Sequence, residues 1–293
     1  MADLTQYKKL VLQNFDRLTK NQKKIAQFLI DNPEEIAFSS IDTIADKLKV
    51  GKATVVRLAQ SLGYKGFLEL KTELTNRLRD DISPSKKLKA ALDNAHLRSD
   101  YLTTIATDEI QNIQATISSL DQAAFDKAVQ LLVEAHNIYT MGLGISSFLS
   151  QLAAYFLNRL SKKTKAFTHG SISFKEQIIS LEKGDVIIAI SLPPYSYETI
   201  EAAEYGMSQG IKIISITDKL ISPITKSSDV VFTVKTKNIV FINSVSSVLV
   251  IIYALATGLG LSDRETSLKA LALFEETESI FGFDVHKDFF KNL

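Results

Sequence analysis

Two stretches of the chain, VIIAIS at residues 186–191 and IKIISIT at residues 211–217, are apolar or β-branched at nearly every position. A strand with one wet face alternates, whereas a run without alternation suits a strand covered on both sides, as in a parallel sheet flanked by helices. Shorter runs of the same kind lie at 138–141, 165–168 and 230–234, and amphipathic segments of helical length separate them. This order predicts a doubly wound parallel α/β sheet in the second part of the chain. Ligands of such sheets sit beyond the C-terminal strand ends, so the residues directly after each run carry the functional information.

The N-terminal part has a different texture. Thr19 stands three residues before Gln22, a capping-box spacing, and Ile25, Phe28 and Leu29 follow at helical offsets until Asp31-Asn32-Pro33 stops the pattern. Ser39 or Ser40 can cap a short helix with Ile41, Ile44, Ala45 and Leu48 on one face, broken at Val50-Gly51. A second helix over 54–62 turns Val55, Leu58, Ala59 and Leu62 inward, leaves Lys52, Thr54, Arg57 and Gln60 on the surface, and ends at Gly63. Two short helices around a tight glycine-containing turn, the second polar and basic outside, are what a helix-turn-helix reader of the major groove needs. Arginine and lysine donate to guanine, glutamine pairs with adenine, and threonine offers a hydroxyl or a methyl.

Charge supports this division. The chain's formal net charge is only +1, yet residues 1–80 hold 14 Lys+Arg against 10 Asp+Glu and the remainder is net negative. Between residues 47 and 79 the cations Lys47, Lys49, Lys52, Arg57, Lys65, Lys71, Arg77 and Arg79 face only Glu69 and Glu73. A basic segment on a compact unit predicts a polyanion partner, and Lys71 is suited to a phosphate contact. The stretch LTKNQKKIAQFLIDNPEEIAFSSIDTIADKLKVGKATVVRLAQSLGYKGFLELKTEL resembles the N-terminal DNA-binding domain of RpiR/MurR-type bacterial transcription regulators over nearly its whole length, above all in IADKL, ATVVRLAQSLGYKGF and LKTEL. The chain departs from that pattern at Gly51, where the family commonly has a serine N-cap. Glycine caps only slightly less well, which predicts a small loss of stability and retained DNA binding.

A proline and clustered charge in residues 80–100 mark a connector. The expected organisation is an all-α helix-turn-helix domain at 1–79, the connector at 80–100, and an α/β domain at 101–293. After the first strand run comes Gly142-Leu143-Gly144-Ile145-Ser146-Ser147. Glycines there let a ligand approach the backbone, and the helix start that follows offers N–H groups and a positive dipole end to an anion. A nicotinamide cofactor is not expected, because Ser147 stands where the third fingerprint glycine would be and no acidic residue near 162–165 is placed to hold a ribose. After the third run comes SLPPYSYET (191–199), hydroxyl-rich and again leading into a helix.

Residues 121–261 resemble the sugar isomerase (SIS) domain in GLGIS, in DVIIAIS with its serine-bearing loop, and in ISITD. The resemblance implies phosphosugar binding, with Ser146, Ser191 and Ser196 at phosphate-binding positions and Gly142 and Gly144 shaping the first loop. Pro193-Pro194 replaces the Ser-Gly of many sugar-binding members, removing two backbone donors and a hydroxyl. His169 follows the second strand run and is assigned to effector recognition, with Glu176 nearby as the second member of a conceivable proton shuttle. No catalytic residue is assigned.

With no cysteine the chain has no disulfide, no thiolate nucleophile and no Cys-based zinc site, and its four histidines are too scattered for a metal. No cofactor is expected. Residues 1–20 are charged throughout and do not read as a secretory signal. The uncharged run 239–261 is long enough to pose as a membrane span, but Asn243, Ser244, Ser246, Ser247 and Thr257 interrupt it, which predicts a buried core or interface helix. The combined reading is a cytoplasmic transcriptional regulator, not an enzyme, that binds double-stranded operator DNA as a homodimer or homotetramer and responds to a small anionic effector of the phosphosugar class. A phosphosugar isomerase with an accessory helical domain is the alternative.

Overall fold

The computed structural model describes residues 2–81, 84–93, 100–160, 163–170, 172–241 and 243–280. The aromatic tail (Phe281, Phe283, Phe289, Phe290), His96, His286 and the side chain of Arg79 lie outside the described residues.

Capping chemistry sets the helices of the N-terminal part. Thr19 caps α2 (Lys20–Asp31) with the reciprocal bonds its spacing predicts: the Gln22 N–H donates to the Thr19 hydroxyl at 3.4 Å, and the Thr19 N–H donates to Gln22 Oε1 at 2.9 Å. Before it runs α1 (Ala2–Asn14), and after it comes the short α3 (Pro33–Phe38). Of the two serines ahead of α4 (Ile41–Leu48), Ser40 is the cap, accepting from the Thr43 N–H at 3.1 Å. Then follow α5 (Lys52–Ser61), closed by Leu62 and by Gly63 at φ +94°, and α6 (Phe67–Asp81). Ile25, Leu29, Ile44, Leu58, Leu70 and Leu74 are fully buried, so α2, α4, α5 and α6 share one core. Burial of each such side chain contributes about 1.5–3 kcal/mol. Helices this short are marginal alone, so that shared core holds them.

Helices α7 (Pro84–Leu92), α8 (Tyr101–Ser118) and α9 (Gln122–Glu134) lead into the sheet. Strands β1 (Ile138–Met141), β2 (Thr164–Ala166), β3 (Val186–Ile190), β4 (Lys212–Thr217) and β5 (Val230–Thr233) are all parallel, in the order β2-β1-β3-β4-β5. Every residue of β3 is buried, as is all of β4 after Lys212, which is the physical content of the unbroken apolar runs. Strand β2 is shorter than the expected 165–168. Phe167 lies just past its end, 2% exposed, with its ring 5.3 Å from that of Tyr139 and 6.1 Å from that of Phe174. Its apolar character reflects packing at the strand exit.

The crossovers are α10 (Ile145–Asn158), α11 (Phe174–Ile178) and α12 (Tyr197–Ser208); α13 (Ser246–Ser262) and α14 (Arg264–Ile280) close the chain. Only part of the run 239–261 is helical. In α13 the side chains of Val248, Ile251, Ile252, Leu255 and Leu259 belong to the α/β core. Among the described residues no single helix is long and apolar enough to cross a membrane; Ser246–Ser262 and Arg264–Glu276 pass that test only as a pair bent by 109°.

The chain divides into two compact units. One is Met1–Glu109 with Ile221–Pro223 and Lys237–Ser244, and the other is Ile110–Leu220, Ile224–Thr236 and Val245–Leu293.

Candidate functional site

The first candidate surface is the outer side of α5. Burial of Val55, Leu58 and Ala59 leaves Lys52, Ala53, Arg57 and Gln60 exposed, with Thr54 half-buried. Arg57 makes no ion pair among the described residues. Lys52 is engaged instead: its ammonium pairs with Asp42 of α4, and that hydrogen bond and charge raise its pKa. A phosphate contact by Lys52 would compete with the neighbouring Asp42 carboxylate for its charge. Lys65 is exposed in the turn after α5, its backbone N–H donating to the Glu69 carboxylate, and Lys71 is half-buried on α6. Lys47 is turned away from this group, bonded to both oxygens of the buried Glu35 at 2.6 and 2.7 Å.

Gly51 is the N-cap of α5, in extended conformation (φ −71°, ψ 143°) and without a side-chain bond. A Cβ there would meet only Thr54 Oγ1, at 3.9 Å. A serine therefore fits and can accept an N–H of the first turn. Gly51→Ser is expected to stabilise the protein by a few tenths of a kcal/mol, about what separates glycine from serine caps, and to leave DNA affinity unchanged. Chemical denaturation read beside a gel shift checks both.

The second candidate site lies where the strand order reverses. In a 2-1-3-4-5 sheet the crevice opens between the C-terminal ends of β1 and β3, because their crossover helices depart to opposite faces. The loop after β1 brings Gly142, Gly144 and Ser146 to that edge, and the loop after β3 brings Ser191 and Ser196. Gly142 shows how near the two loops run: a Cβ on it would lie 2.7 Å from Ser146 Cβ, 2.8 Å from Ser146 O and 2.9 Å from Ile190 O. Gly144, at φ +62°, is the N-cap of α10. The Ser146 and Ser147 N–H groups of that helix start donate to the Leu143 and Gly144 carbonyls at 3.2 and 3.1 Å, so less of the helix end is open to a ligand than its sequence position implies.

Ser191 is 3% exposed. Its N–H donates to Ile216 O at 3.0 Å and its carbonyl accepts from Thr217 Oγ1 at 2.7 Å, while its hydroxyl is buried with no hydrogen-bond partner among the described residues. A buried hydroxyl left unpaired costs about 1–3 kcal/mol. Ser196 caps α12, accepting from the Thr199 N–H at 3.2 Å, and the peptide between Pro193 and Pro194 is cis. His169, in the loop after β2, is exposed, its Nε2 lying 3.4 Å from Glu198 Oε2 in the first turn of α12. Glu176 is engaged elsewhere: it closes a capping box with Ser173, whose N–H and hydroxyl both hold its pKa down.

The structure adds residues that sequence reasoning missed. Tyr195, buried in the second loop, donates its hydroxyl to Asp218 Oδ1 at 2.6 Å, tying the loop after β3 to the end of β4. Lys219, with Nζ 3.9 Å from Asp218 Oδ2, brings a cation to the same edge. Asp218 and Lys219 directly follow the ISIT run, a position that strand-end logic singles out. Among the described residues no cluster of His, Asp or Glu is arranged to hold a metal ion.

A helix-turn-helix unit joined to a doubly wound α/β domain with ligand-type loops at its switch point defines a two-part DNA-binding protein. Residues 5–81 match the helix-turn-helix domain of the rpiR family, and residues 131–258 match the SIS domain. An uncharacterized HTH-type transcriptional regulator of Haemophilus influenzae is 30% identical over 221 residues, 74% of this chain and 75% of that protein. The HTH-type transcriptional regulator HexR of Pseudomonas aeruginosa is 26% identical over 74% of this chain and 75% of its own length. The chain belongs to the RpiR family of helix-turn-helix transcriptional regulators. Among solved structures, the Vibrio vulnificus NanR protein complexed with ManNAc-6P superposes with a TM-score of 0.66 at 21% identity, covering 93% of this chain and 98% of that one. The sugar isomerase domain of an RpiR transcription factor from Sphaerobacter thermophilus gives a TM-score of 0.57 at 21% identity, over 59% of this chain and 97% of that one.

Proposed function

We propose that this regulator binds a two-fold-symmetric operator as a homodimer, reading bases with Arg57 and Gln60 and contacting the duplex also through Lys52, Thr54, Lys65 and Lys71. Its operator affinity is set by a small anionic metabolite of the phosphosugar class, held at the β1/β3 edge by Gly142, Gly144, Ser146, Ser191, Ser196 and His169. Residues 1–79 serve as the DNA-binding domain, 80–100 as the connector and 101–293 as the effector and dimerisation domain of a cytoplasmic protein. The observation that carries the effector assignment is the orphaned Ser191 hydroxyl in a loop packed against the glycine loop at the switch point. NanR's complex with ManNAc-6P supports the ligand class. A binding role rather than catalysis is favoured because Glu176 is committed to its cap and the relatives are named as regulators.

The Ser191 hydroxyl is closed off from solvent, so a ligand reaches it only as the 191–196 loop shifts. Binding then relieves a polar group left unsatisfied in the free protein. Ser191→Ala should therefore stabilise the free protein by about 1 kcal/mol and still weaken effector binding, by roughly five- to tenfold for one lost hydrogen bond. Ser146→Ala should weaken binding without the gain in stability. Isothermal titration with ManNAc-6P, glucose 6-phosphate and fructose 6-phosphate, beside thermal unfolding, tests this. If a ligand binds and both variants match wild type, the pocket lies elsewhere.

A further inference from the structure

The geometry points to the segment that leaves β5 as the element carrying the effector's signal to the DNA-binding helices, with Lys87 and Asp108 as the positioning residues that hold it. The inference rests on the reading that the effector binds at the C-terminal edge of the sheet, since β5 ends at that edge. Val234 and Lys235 still follow the α/β unit: the Val234 N–H donates to Thr217 O at 2.8 Å and the Lys235 N–H donates to Thr116 Oγ1 at 2.9 Å. From Lys237 to Ser244 the chain belongs instead to the N-terminal unit, as do Ile221–Pro223 after β4. The loops leaving two adjacent strands of the ligand edge are thus shared with the unit that carries the helix-turn-helix.

Polar ties to the connector helices hold this segment. Lys87 of α7 donates to Phe241 O at 2.8 Å and to Asn238 O at 3.3 Å. The segment meets the lysine as a compact turn, because Asn238 Oδ1 accepts from the N–H groups of Val240 and Phe241 at 3.0 and 2.8 Å. On α8, Asp108 pairs with Lys237 at 2.7 Å, and Glu109 accepts from the Ser244 hydroxyl. Burial lowers the pKa of Lys87, which marks its ammonium as drawn partly out of water. Helix α8 itself runs unbroken through the division between the units at Glu109 and Ile110.

Such an attachment suits a switch. A packed core does not deform continuously, whereas a segment held by a few directional bonds has discrete held and released arrangements. Allosteric couplings amount to about 5- to 150-fold in affinity, within reach of one or two charge-assisted bonds. Coupling between sites is also reciprocal, so whatever transmits effector binding to DNA must itself respond to DNA. That reciprocity gives a test that requires no identified effector.

Hydrogen exchange of the full chain would be followed by mass spectrometry, with and without a duplex selected by the wild-type protein from a random library. Peptides of α5 should gain protection on DNA binding in every variant. Peptides spanning 237–244 should change their exchange rate by about fivefold or more in wild type, and should lose that change in Lys87→Met and in Lys237→Gln, a surface substitution that leaves Lys87 in place. Protection of α5 without any change at 237–244 in wild type overturns the proposal, as does a wild-type response in both variants. Absence of protection at α5 overturns the DNA-binding surface assigned above, and the two failures are distinguishable in one data set.

Discussion

Gly142→Ala should abolish the effector response while ligand-free operator binding stays within about twofold of wild type, since the loop is remote in sequence from the helix-turn-helix and contributes nothing to its core. The added Cβ would lie 2.7 to 2.9 Å from three atoms, and two of them, Ser146 O and Ile190 O, are backbone. A flexible side chain can swing aside, but these carbonyls belong to the first turn of α10 and the last residue of β3. Relief requires either the helix start or the strand end to move, a strain of about 1–3 kcal/mol by analogy with overpacked cores. The displaced atoms are those that shape the proposed effector loop, so affinity should fall by tenfold or more, about 1.4 kcal/mol. Isothermal titration with the phosphosugars and a gel shift on the same preparation check it. An unchanged dissociation constant would remove this loop from the site.

Arg57→Ala should weaken specific DNA binding by about 1–3 kcal/mol and relax the preference at one base position. Leu58 and Ala59 beside it are fully buried, which fixes the rotation of α5 and so the outward direction of Arg57. Among the described residues the guanidinium has no ion pair to give up before meeting a base, unlike the ammonium of Lys52 beside Asp42. Lys52→Ala should accordingly have the smaller effect, because the free protein already satisfies that charge. Binding measured on a library of single-base operator variants separates the two, and an Arg57→Ala protein with unaltered affinity and preference would place the reading surface elsewhere.

The elements were legible where their cause is local. Thr19 and Gln22 lie three residues apart and cap each other, and Val55, Leu58 and Ala59 face inward because their spacing puts them on one helical face. The β3 and β4 runs could be read because full burial leaves no polar position. For the same reason the glycines after β1 and the serines after β3 were found together: adjacent parallel strands bring their exits to one edge. The remainder depends on partners distant in sequence. Nothing near Tyr195 announces its bond to Asp218, 23 positions away, and nothing near Lys52 distinguishes a lysine facing DNA from one held by Asp42. The orphaned state of the Ser191 hydroxyl arises from what the folded loop fails to supply, which a sequence pattern does not contain. The ties between Lys87 and the carbonyls of Asn238 and Phe241 span more than 150 positions and involve backbone atoms that every residue possesses.

A ligand that binds the DNA-competent and DNA-incompetent arrangements equally shifts nothing, however tight it is. Regulation is therefore a coupling, read from the affinity of the protein for DNA upstream of its own gene, at fixed salt, with and without saturating phosphosugar. Each mixture would also be assayed for aldose–ketose conversion. A phosphosugar that binds should change the operator dissociation constant by about 5- to 150-fold, with no conversion of the sugar. A phosphosugar that binds and is turned over while the operator dissociation constant stays unchanged would make the protein an isomerase and not an effector-controlled regulator.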